Sequence, residues 1–168
     1  MSETDTPALP ACRVGFDEGS ILLPPGYEDR TTNLFMPADP QSQATLSIAR
    51  DRLRPAETLD AYVDRQLALL QARLASHKLL ARGPEWLGLR EEARELACEG
   101  RRIDASYKSG KLQVVQRQVA FLLDPARALI FTAGAAQAFG PDLNRLWADW
   151  LASYTLPPAA TFLEAPTA

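Results

Sequence analysis

The residues of this chain that could perform covalent or acid–base chemistry are few and widely spaced. The only histidine, His77, falls near the predicted end of a helix, where the helix dipole favours a cation, so a surface cap is its simpler role. A Ser-His-Asp triad would have to use His77, and no G-x-S-x-G sequence presents a nucleophile. Cys98 lies far along the chain from Cys12, so we expect a buried strand cysteine and no structural disulfide. We therefore expect no catalytic residues.

The sequence gives equally little support for a metal or cofactor site. Two cysteines and one distant histidine give no zinc-binding spacing, and neither the dinucleotide-binding nor the P-loop glycine signature occurs. Three pairs of adjacent carboxylates are present, but neighbours on a strand point to opposite faces and do not form an acid–base dyad. These pairs are Asp17 with Glu18, Glu28 with Asp29, and Glu91 with Glu92. We expect no metal and no cofactor.

Composition narrows the class of protein. The chain has 168 residues, 46% of them hydrophobic, which suits one domain with one core. The net charge of −3 and the absence of a lysine-rich run argue against binding to nucleic acid or to an anionic membrane. The first residues are acidic with no apolar stretch behind them, and no segment approaches the roughly 20 apolar residues of a spanning helix. The sequence therefore predicts a cytoplasmic protein that is not inserted in a membrane.

The ends of the chain differ from its middle. Residues 1–14 are rich in Ser, Thr, Pro and Ala without a hydrophobic period, which predicts a disordered arm. Residues 158–168, which follow a double proline, predict a similar tail. Residues 15–157 are interpreted as a single domain.

The first half of this domain predicts strands followed by a helix. Residues 19–23, 31–36 and 44–50 have strand composition, and their connections are too short for a crossover helix, so an antiparallel meander is expected. Thr58 can cap a helix whose apolar residues recur at steps of three and four until about residue 76.

The second half predicts a hairpin and a last helix. Residues 101–107 and 111–123 flank a Ser-Gly turn, residues 128–132 form a buried strand, and a helix begins near Pro141. Residues 90–97 have helical propensity, but a strand beside the hairpin is favoured. The order gives an α+β fold: an antiparallel sheet with a central helix after the third strand and a C-terminal helix.

One segment resembles a known family. Residues 18–35, Glu-Gly-Ser-Ile-Leu-Leu-Pro-Pro-Gly-Tyr-Glu-Asp-Arg-Thr-Thr-Asn-Leu-Phe, are similar to the opening of DcrB-like proteins, and more narrowly of the Eag chaperones of bacterial type VI secretion. Residues 46–51, 114–121 and 128–133 fit the same pattern in order, so that the resemblance covers about residues 17–156.

The resemblance implies a Mog1/PsbP-like fold and a cytoplasmic homodimer. Such adaptor chaperones shield the N-terminal transmembrane helices of Rhs- or PAAR-containing effectors and help to load them on the spike protein. The resemblance also supports the predicted strand at residues 90–97.

A protein that binds membrane helices needs an apolar groove, because these helices expose apolar surface in water. It also needs some hydrogen-bonding groups, because membrane helices pack through small and polar residues. The chain offers both on its strand faces and on one stripe of the central helix. The candidate effector-binding residues are Leu34, Met36, Leu46, Ile48, Gln66, Leu70, Leu74, Val114, Gln116 and Gln118. In the simpler interpretation the aliphatic residues form the core and the glutamines face solvent.

Two other functions stay open at this point. One is a DcrB-like structural or envelope-associated module that has no effector. The other is a small-molecule hydrolase or binding protein that uses carboxylates such as Glu28 and Asp29.

Overall fold

The computed structural model describes residues 13–39, 43–88 and 98–155. In chain order the elements are β1 (Arg13–Phe16), β2 (Gly19–Leu22), β3 (Asn33–Phe35), β4 (Thr45–Arg52), α1 (Leu59–Arg73), β5 (Ala75–Leu87), β6 (Cys98–Ser109), β7 (Leu112–Asp124), β8 (Arg127–Ala135) and α2 (Pro141–Ala152). Among these elements no helix is long and apolar enough to cross a membrane.

The main sheet has six strands in the order β3-β4-β8-β7-β6-β5, and every pairing is antiparallel. Helix α1 carries the chain from β4, near one edge, to β5 at the other edge. The remaining strands, β1 and β2, pair only with each other. The α+β fold with a central and a C-terminal helix is therefore confirmed.

Helix α2 covers one face of the sheet with aromatic side chains. Pro141 occupies the first turn, and Leu143, Trp147 and Leu151 are buried. The ring of Phe131 on β8 makes edge-on contacts with Phe121, at a centroid distance of 5.9 Å, and with Trp150, at 5.0 Å. Such edge-on pairs add stabilisation beyond the area that they bury. This face holds the larger apolar cluster.

Helix α1 covers part of the opposite face. The Thr58 side chain accepts a hydrogen bond from the Ala61 amide, as expected of the helix cap. Tyr62 and Val63 are buried in a smaller cluster that includes Ile103 on β6 and Ile130 on β8. The structure is thus three-layered, with one helix on each side of the sheet.

Two details of the predicted fold are wrong. The strand at residues 19–23 does not continue a meander into the next strand, because its residues pair with β1 across a tight turn at Asp17 and Glu18. The central helix ends at Arg73 and not near residue 76, and it leads at once into β5. It follows the fourth strand, because β1 precedes the three strands that were expected. The residues that follow Arg73 are extended, and Ser76 has a positive φ of 56°.

Some of the predicted segments lie wholly or partly outside the described residues. The predicted strand at residues 90–97 lies outside them, and the neighbour of β6 is β5. Most of the predicted arm, residues 1–14, and the whole tail, 158–168, also lie outside, although β1 begins at Arg13. The hairpin of β6 and β7 and the helix from Pro141 occur as predicted.

Both edges of the sheet are irregular or short. Strand β3 has three residues, while β5 has register shifts between Ala75 and Lys78 and between Leu79 and Ala81. Pro84 lies farther along β5, where an edge strand tolerates the missing amide.

A glycine in β6 tests the packing of the α2 face. A methyl group at Gly100 would lie 2.5 Å from ring carbons of Phe121, whereas one at Gly83 on β5 would meet nothing within 4 Å. Gly100→Ala should therefore lower the free energy of unfolding by about 1–3 kcal/mol, measured by urea denaturation. Gly83→Ala is the matched control and should leave it unchanged or slightly raised. Equal effects of the two changes would contradict this packing.

A second prediction concerns pH. The Arg65 guanidinium and the Arg54 amide bind Glu57 before α1 and lower the pKa of Glu57 from 4.5 to about 2. A lowered pKa in the folded state stabilises the fold above pH 4.5 and loses this effect as the pH falls towards 2. Glu57→Gln should therefore unfold at lower urea concentration than wild type at pH 7, with the difference closing between pH 4.5 and 2. A difference that stays constant over this range would contradict the role of the Glu57 charge.

Candidate functional site

The two faces of the central strands differ in chemistry because side chains alternate along a strand. On β4, Leu46 and Ile48 pack against the aromatic cluster beneath α2. The residues between them, Thr45 and Ser47, point to the α1 side, where Ser47 is the cross-strand partner of Thr132 on β8. The aliphatic residues of β4 therefore face the core, and its small polar residues face the other way.

Part of the α1 side is left open. The apolar contacts of α1 gather around Ile103, Ala120 and Ile130. A cleft of about 340 Å³ lies on the sheet next to this covered part. It is lined by Thr45, Ser47, Tyr107, Leu112, Gln113, Val114, Gln116, Thr132, Gly134, Ala135 and Ala136. We call this feature the sheet cleft.

The floor of the sheet cleft is small and polar, and its sides are apolar. Thr132 and Gly134 on β8 pair with Gln118 and Gln116 on β7, and cross-strand partners project from the same face. At one side, Leu34 is the partner of Ser47 and is 62% exposed. At the other side Leu112 is 67% exposed. An occupant would therefore meet hydroxyl and amide groups below and leucine side chains beside it.

One residue beside the floor has an unused hydrogen-bonding atom. Gln118 on β7 is the cross-strand partner of Thr132 but does not line the cleft, and its Oε1 atom is buried with no hydrogen-bond partner among the described residues. A buried carbonyl oxygen without a donor costs about 1–3 kcal/mol. By contrast, Arg117 on the α2 face of the same strand bonds both oxygens of Asp104 and the side-chain oxygen of Asn144.

The structure brings together only some of the predicted effector-binding residues. Val114, Gln116 and Gln118 lie on the cleft face of β7, and Leu34 lies on the same face of β3. Met36, just after β3, is 63% exposed. These five residues are retained as candidates.

The other five predicted residues are engaged elsewhere. Leu46 and Ile48 lie on the opposite face of the sheet and pack in the α2 core, so their assignment to the same groove as Leu34 is corrected. Gln66 donates to the Asp51 carboxylate at 2.9 Å, and Leu70 packs against the α1 cluster. Leu74 caps the end of α1 and is half-buried.

Sequence reasoning missed the residues that form most of the floor. Thr45, Ser47, Thr132 and Gly134 are small or polar residues at alternate positions of otherwise aliphatic strands. The alternation itself was the available signal, since it separates these residues from Leu46 and Ile48. On β4 the interpretation that aliphatic residues mark the groove selected Leu46 and Ile48, which face the α2 core, and left out the small polar residues between them.

A second cavity, of about 440 Å³, contains the carboxylates considered for hydrolysis. Glu28 forms ion pairs with Arg30 and Arg52. Asp29 accepts hydrogen bonds from the hydroxyl and amide of Thr31, which lower the pKa of Asp29. A carboxylate held in its ionised form is a weak acid–base catalyst near neutral pH. This cavity therefore favours a structural role for both carboxylates.

Cys98 is half-buried at the start of β6, with its Sγ atom 3.4 Å from the Leu122 carbonyl oxygen. Burial raises the pKa of the Cys98 thiol, which disfavours the nucleophilic thiolate.

Comparison with known proteins places the chain in a family. A family model described as DcrB matches residues 18–153. The chain belongs to the DcrB family. Among solved structures, the crystal structure of a Pseudomonas aeruginosa protein of unknown function, described as a candidate regulator, is similar with a TM-score of 0.66 and 23% sequence identity. The match covers 88% of this chain and 98% of that protein, and at this identity it shows a shared fold for this DcrB protein. No curated protein matches the chain.

The division between the two faces can be tested on neighbouring strands. Ile48→Gln should lower the free energy of unfolding by about 1–3 kcal/mol, because it places an amide against the α2 core. Leu34→Gln should change it by less than about 0.5 kcal/mol, because that side chain is mostly exposed. Urea denaturation of both variants measures the difference. Equal stability of the two variants would place Ile48 outside the core.

Proposed function

We propose that this DcrB protein is a non-enzymatic, cytoplasmic adaptor chaperone of the Eag type. In this proposal its sheet cleft binds the N-terminal transmembrane helices of a type VI secretion effector of the Rhs or PAAR class. The chaperone keeps these helices in solution and helps to load the effector on the spike protein. It works as a homodimer and without a cofactor.

The observation that carries the proposal is the open part of the α1 side. A membrane helix in water exposes apolar surface, and each Å² that a partner covers is worth about 25 cal/mol. The exposed leucines at the two sides of the cleft, Leu34 and Leu112, supply such cover. The Eag-like opening of the sequence, residues 18–35, adds further support.

The floor suits a membrane helix better than it suits a compact ligand. Transmembrane helices pack through small residues and use serine, threonine and glutamine side chains as hydrogen-bonding partners. Gly134 permits close approach to the floor, because the space above its Cα atom is empty to at least 4 Å. Ser47, Thr132 and Gln116 provide the hydrogen-bonding groups.

The width of the sheet supports binding of one effector by more than one copy of the chaperone. Strands lie about 4.8 Å apart, so the face from β3 to β6 is about 19 Å wide. A transmembrane helix is about 30 Å long. Two clefts in a homodimer would cover such a helix, or a pair of helices, more completely than one cleft.

Filling the cleft should weaken binding. Gly134→Glu adds a charged side chain above the floor without a steric clash at its Cβ atom. We expect it to weaken binding of a synthetic 20-residue Leu/Ala/Gly/Ser helical peptide at least about tenfold, which is about 1.4 kcal/mol. Fluorescence anisotropy of the labelled peptide measures affinity, and light scattering measures whether the protein keeps it in solution.

Gly83→Glu provides the matched control. It introduces the same side chain at another glycine with open space around it, on β5 and outside the cleft lining. It should bind the peptide as wild type does. Absence of binding by wild type would favour a DcrB-like module without an effector, and equal binding by both glutamate variants would place the peptide away from the cleft.

The hydrolase alternative has its own test. A panel of small ester, amide and phosphate substrates should show no turnover by wild type that disappears in Glu28→Ala. Robust turnover lost with this substitution would overturn the chaperone proposal.

A further inference from the structure

The cavity of about 440 Å³ that contains Glu28 and Asp29 is rich in arginine. It lies where β4 ends and β8 begins, whereas the sheet cleft lies where β4 begins and β8 ends. Its lining has four guanidinium groups against three carboxylates, although the whole chain has a net charge of −3. The four arginines are Arg30, Arg50, Arg52 and Arg127, and we call this feature the arginine cavity.

Two of these arginines lie directly opposite each other on neighbouring strands. Arg52 on β4 is the cross-strand partner of Arg127 on β8, so their Cβ atoms are about 5 Å apart on one face. Arg50 precedes Arg52 by two residues and projects from the same face. Like charges in this position are destabilising. An anion held between Arg52 and Arg127 would relieve that repulsion.

The carboxylates of the cavity are already engaged. Glu28 uses one oxygen on Arg30 and the other on Arg52. Asp51 accepts hydrogen bonds from two side chains of α1 and from the Arg52 amide. Asp29 accepts from the amide and hydroxyl of the second residue after it. The bonding capacity of these groups is therefore spent largely within the protein.

The arginines, by contrast, keep unused donors. A guanidinium group has five N–H donors. Arg52 and Arg127 each bind a carboxylate through Nε, and their Nη1 and Nη2 atoms have no partner among the described residues. Arg50 uses only Nη1, on the Thr31 carbonyl oxygen and the Asn33 side chain. The cavity therefore presents hydrogen-bond donors and positive charge to a ligand.

We propose that the arginine cavity binds the phosphate group of a small organic phosphate monoester, with the phosphate between Arg52 and Arg127. Arginine recognises phosphate through paired N–H donors, and near neutral pH such a phosphate carries close to two negative charges. Its three free oxygens suit donors that come from two strands and a loop better than the two oxygens of a planar carboxylate do.

The rest of the cavity accommodates an organic group. The volume is within the range of about 300–1,000 Å³ that is usual for small-molecule sites. Tyr27, which is 67% exposed, and Leu123, which is 46% exposed, supply aromatic and aliphatic surface beside the arginines. This site is at the other end of the sheet from the sheet cleft, so it does not rest on the proposed chaperone function.

Binding should join two parts of the fold. Arg30 belongs to the loop between β2 and β3, whereas Arg50, Arg52 and Arg127 belong to the main sheet. A phosphate that bonds both would hold the loop against the sheet. Because the ligand binds the folded state, the melting temperature should rise with ligand concentration.

Isothermal titration of the full chain with phenyl phosphate, inorganic phosphate and benzoate, at pH 7.5 and constant ionic strength, tests the site. Phenyl phosphate should bind saturably, one molecule per chain, with a Kd below about 1 mM. Benzoate, a planar carboxylate with the same ring, should bind at least about tenfold more weakly. Tighter binding of phenyl phosphate than of inorganic phosphate supports an ester as the ligand, and equal binding supports the free ion in the same site.

Arginine variants locate the binding. Arg127→Gln should weaken phosphate binding at least about tenfold. Arg82→Gln is the matched control, because it removes the same charge from an arginine that pairs with Asp64 on α1, outside the cavity. This control should bind as wild type does. Tyr27→Ala should remove the advantage of phenyl phosphate over inorganic phosphate.

Two further measurements keep the test decisive. Without ligand, Arg127→Gln should unfold at nearly the wild-type temperature, because its ion pair with Asp124 is exposed; Arg52→Gln serves as a second variant. In NMR titrations the amides of Asp51 and Ala128 should shift, whereas that of Gly134 in the sheet cleft should not. Absence of saturable binding at millimolar phosphate, or equal loss of affinity in Arg127→Gln and Arg82→Gln, would overturn the inference.

Discussion

The constraint on which this molecule depends is the alternation of side chains along its three central strands. On β4, β7 and β8, one set of positions carries Leu46, Ile48, Val119, Phe121 and Phe131 beneath α2. The other set carries aliphatic residues such as Ile130 beneath α1 and small or polar side chains in the open part. A shift of any strand by one residue would exchange the two sets and bury hydroxyl and amide groups beneath α2. The aromatic cluster around Phe131 therefore fixes the register and, through it, the chemistry of the opposite face.

That opposite face is stable while partly open because its floor is not strongly apolar. Exposed leucines would favour collapse or self-association, whereas Ser47, Thr132 and Gln116 are compatible with water. The apolar surface is limited to the sides of the cleft, at Leu34 and Leu112. A surface of this composition is stable in contact with water. Covering its apolar sides with an apolar helix would still lower the free energy, because water is displaced from them.

The sequence predicted the elements whose signals are local. Thr58 identified the start of α1, the Ser-Gly turn identified the β6–β7 hairpin, and Pro141 identified α2. Strand β5 was not recognised, because it is an edge strand with only Leu87 buried and with Gly83 and Pro84 in its interior. Its sequence therefore lacks the alternation that a half-buried strand shows.

The candidate site was predicted in part for a similar reason. Alternation divides β4 into two sets of residues, but it does not say which set faces the core. That assignment depends on where α2 packs, and α2 begins only at Pro141, far along the chain from β4. Gln116 and Gln118 were identified because polar residues within a long β-rich run are unusual, whereas Ile48 was included as a candidate because both faces of the sheet carry aliphatic residues and the sequence does not say which face is free.

The irregular margins of the sheet have a consequence for selectivity. A long, flat outer strand offers a row of free amides and carbonyls on which any extended apolar peptide can add itself. Here the edge strand β3 has three residues, and the other edge strand, β5, is interrupted by register shifts and Pro84. Addition of an extended peptide to the backbone of either edge strand is therefore disfavoured.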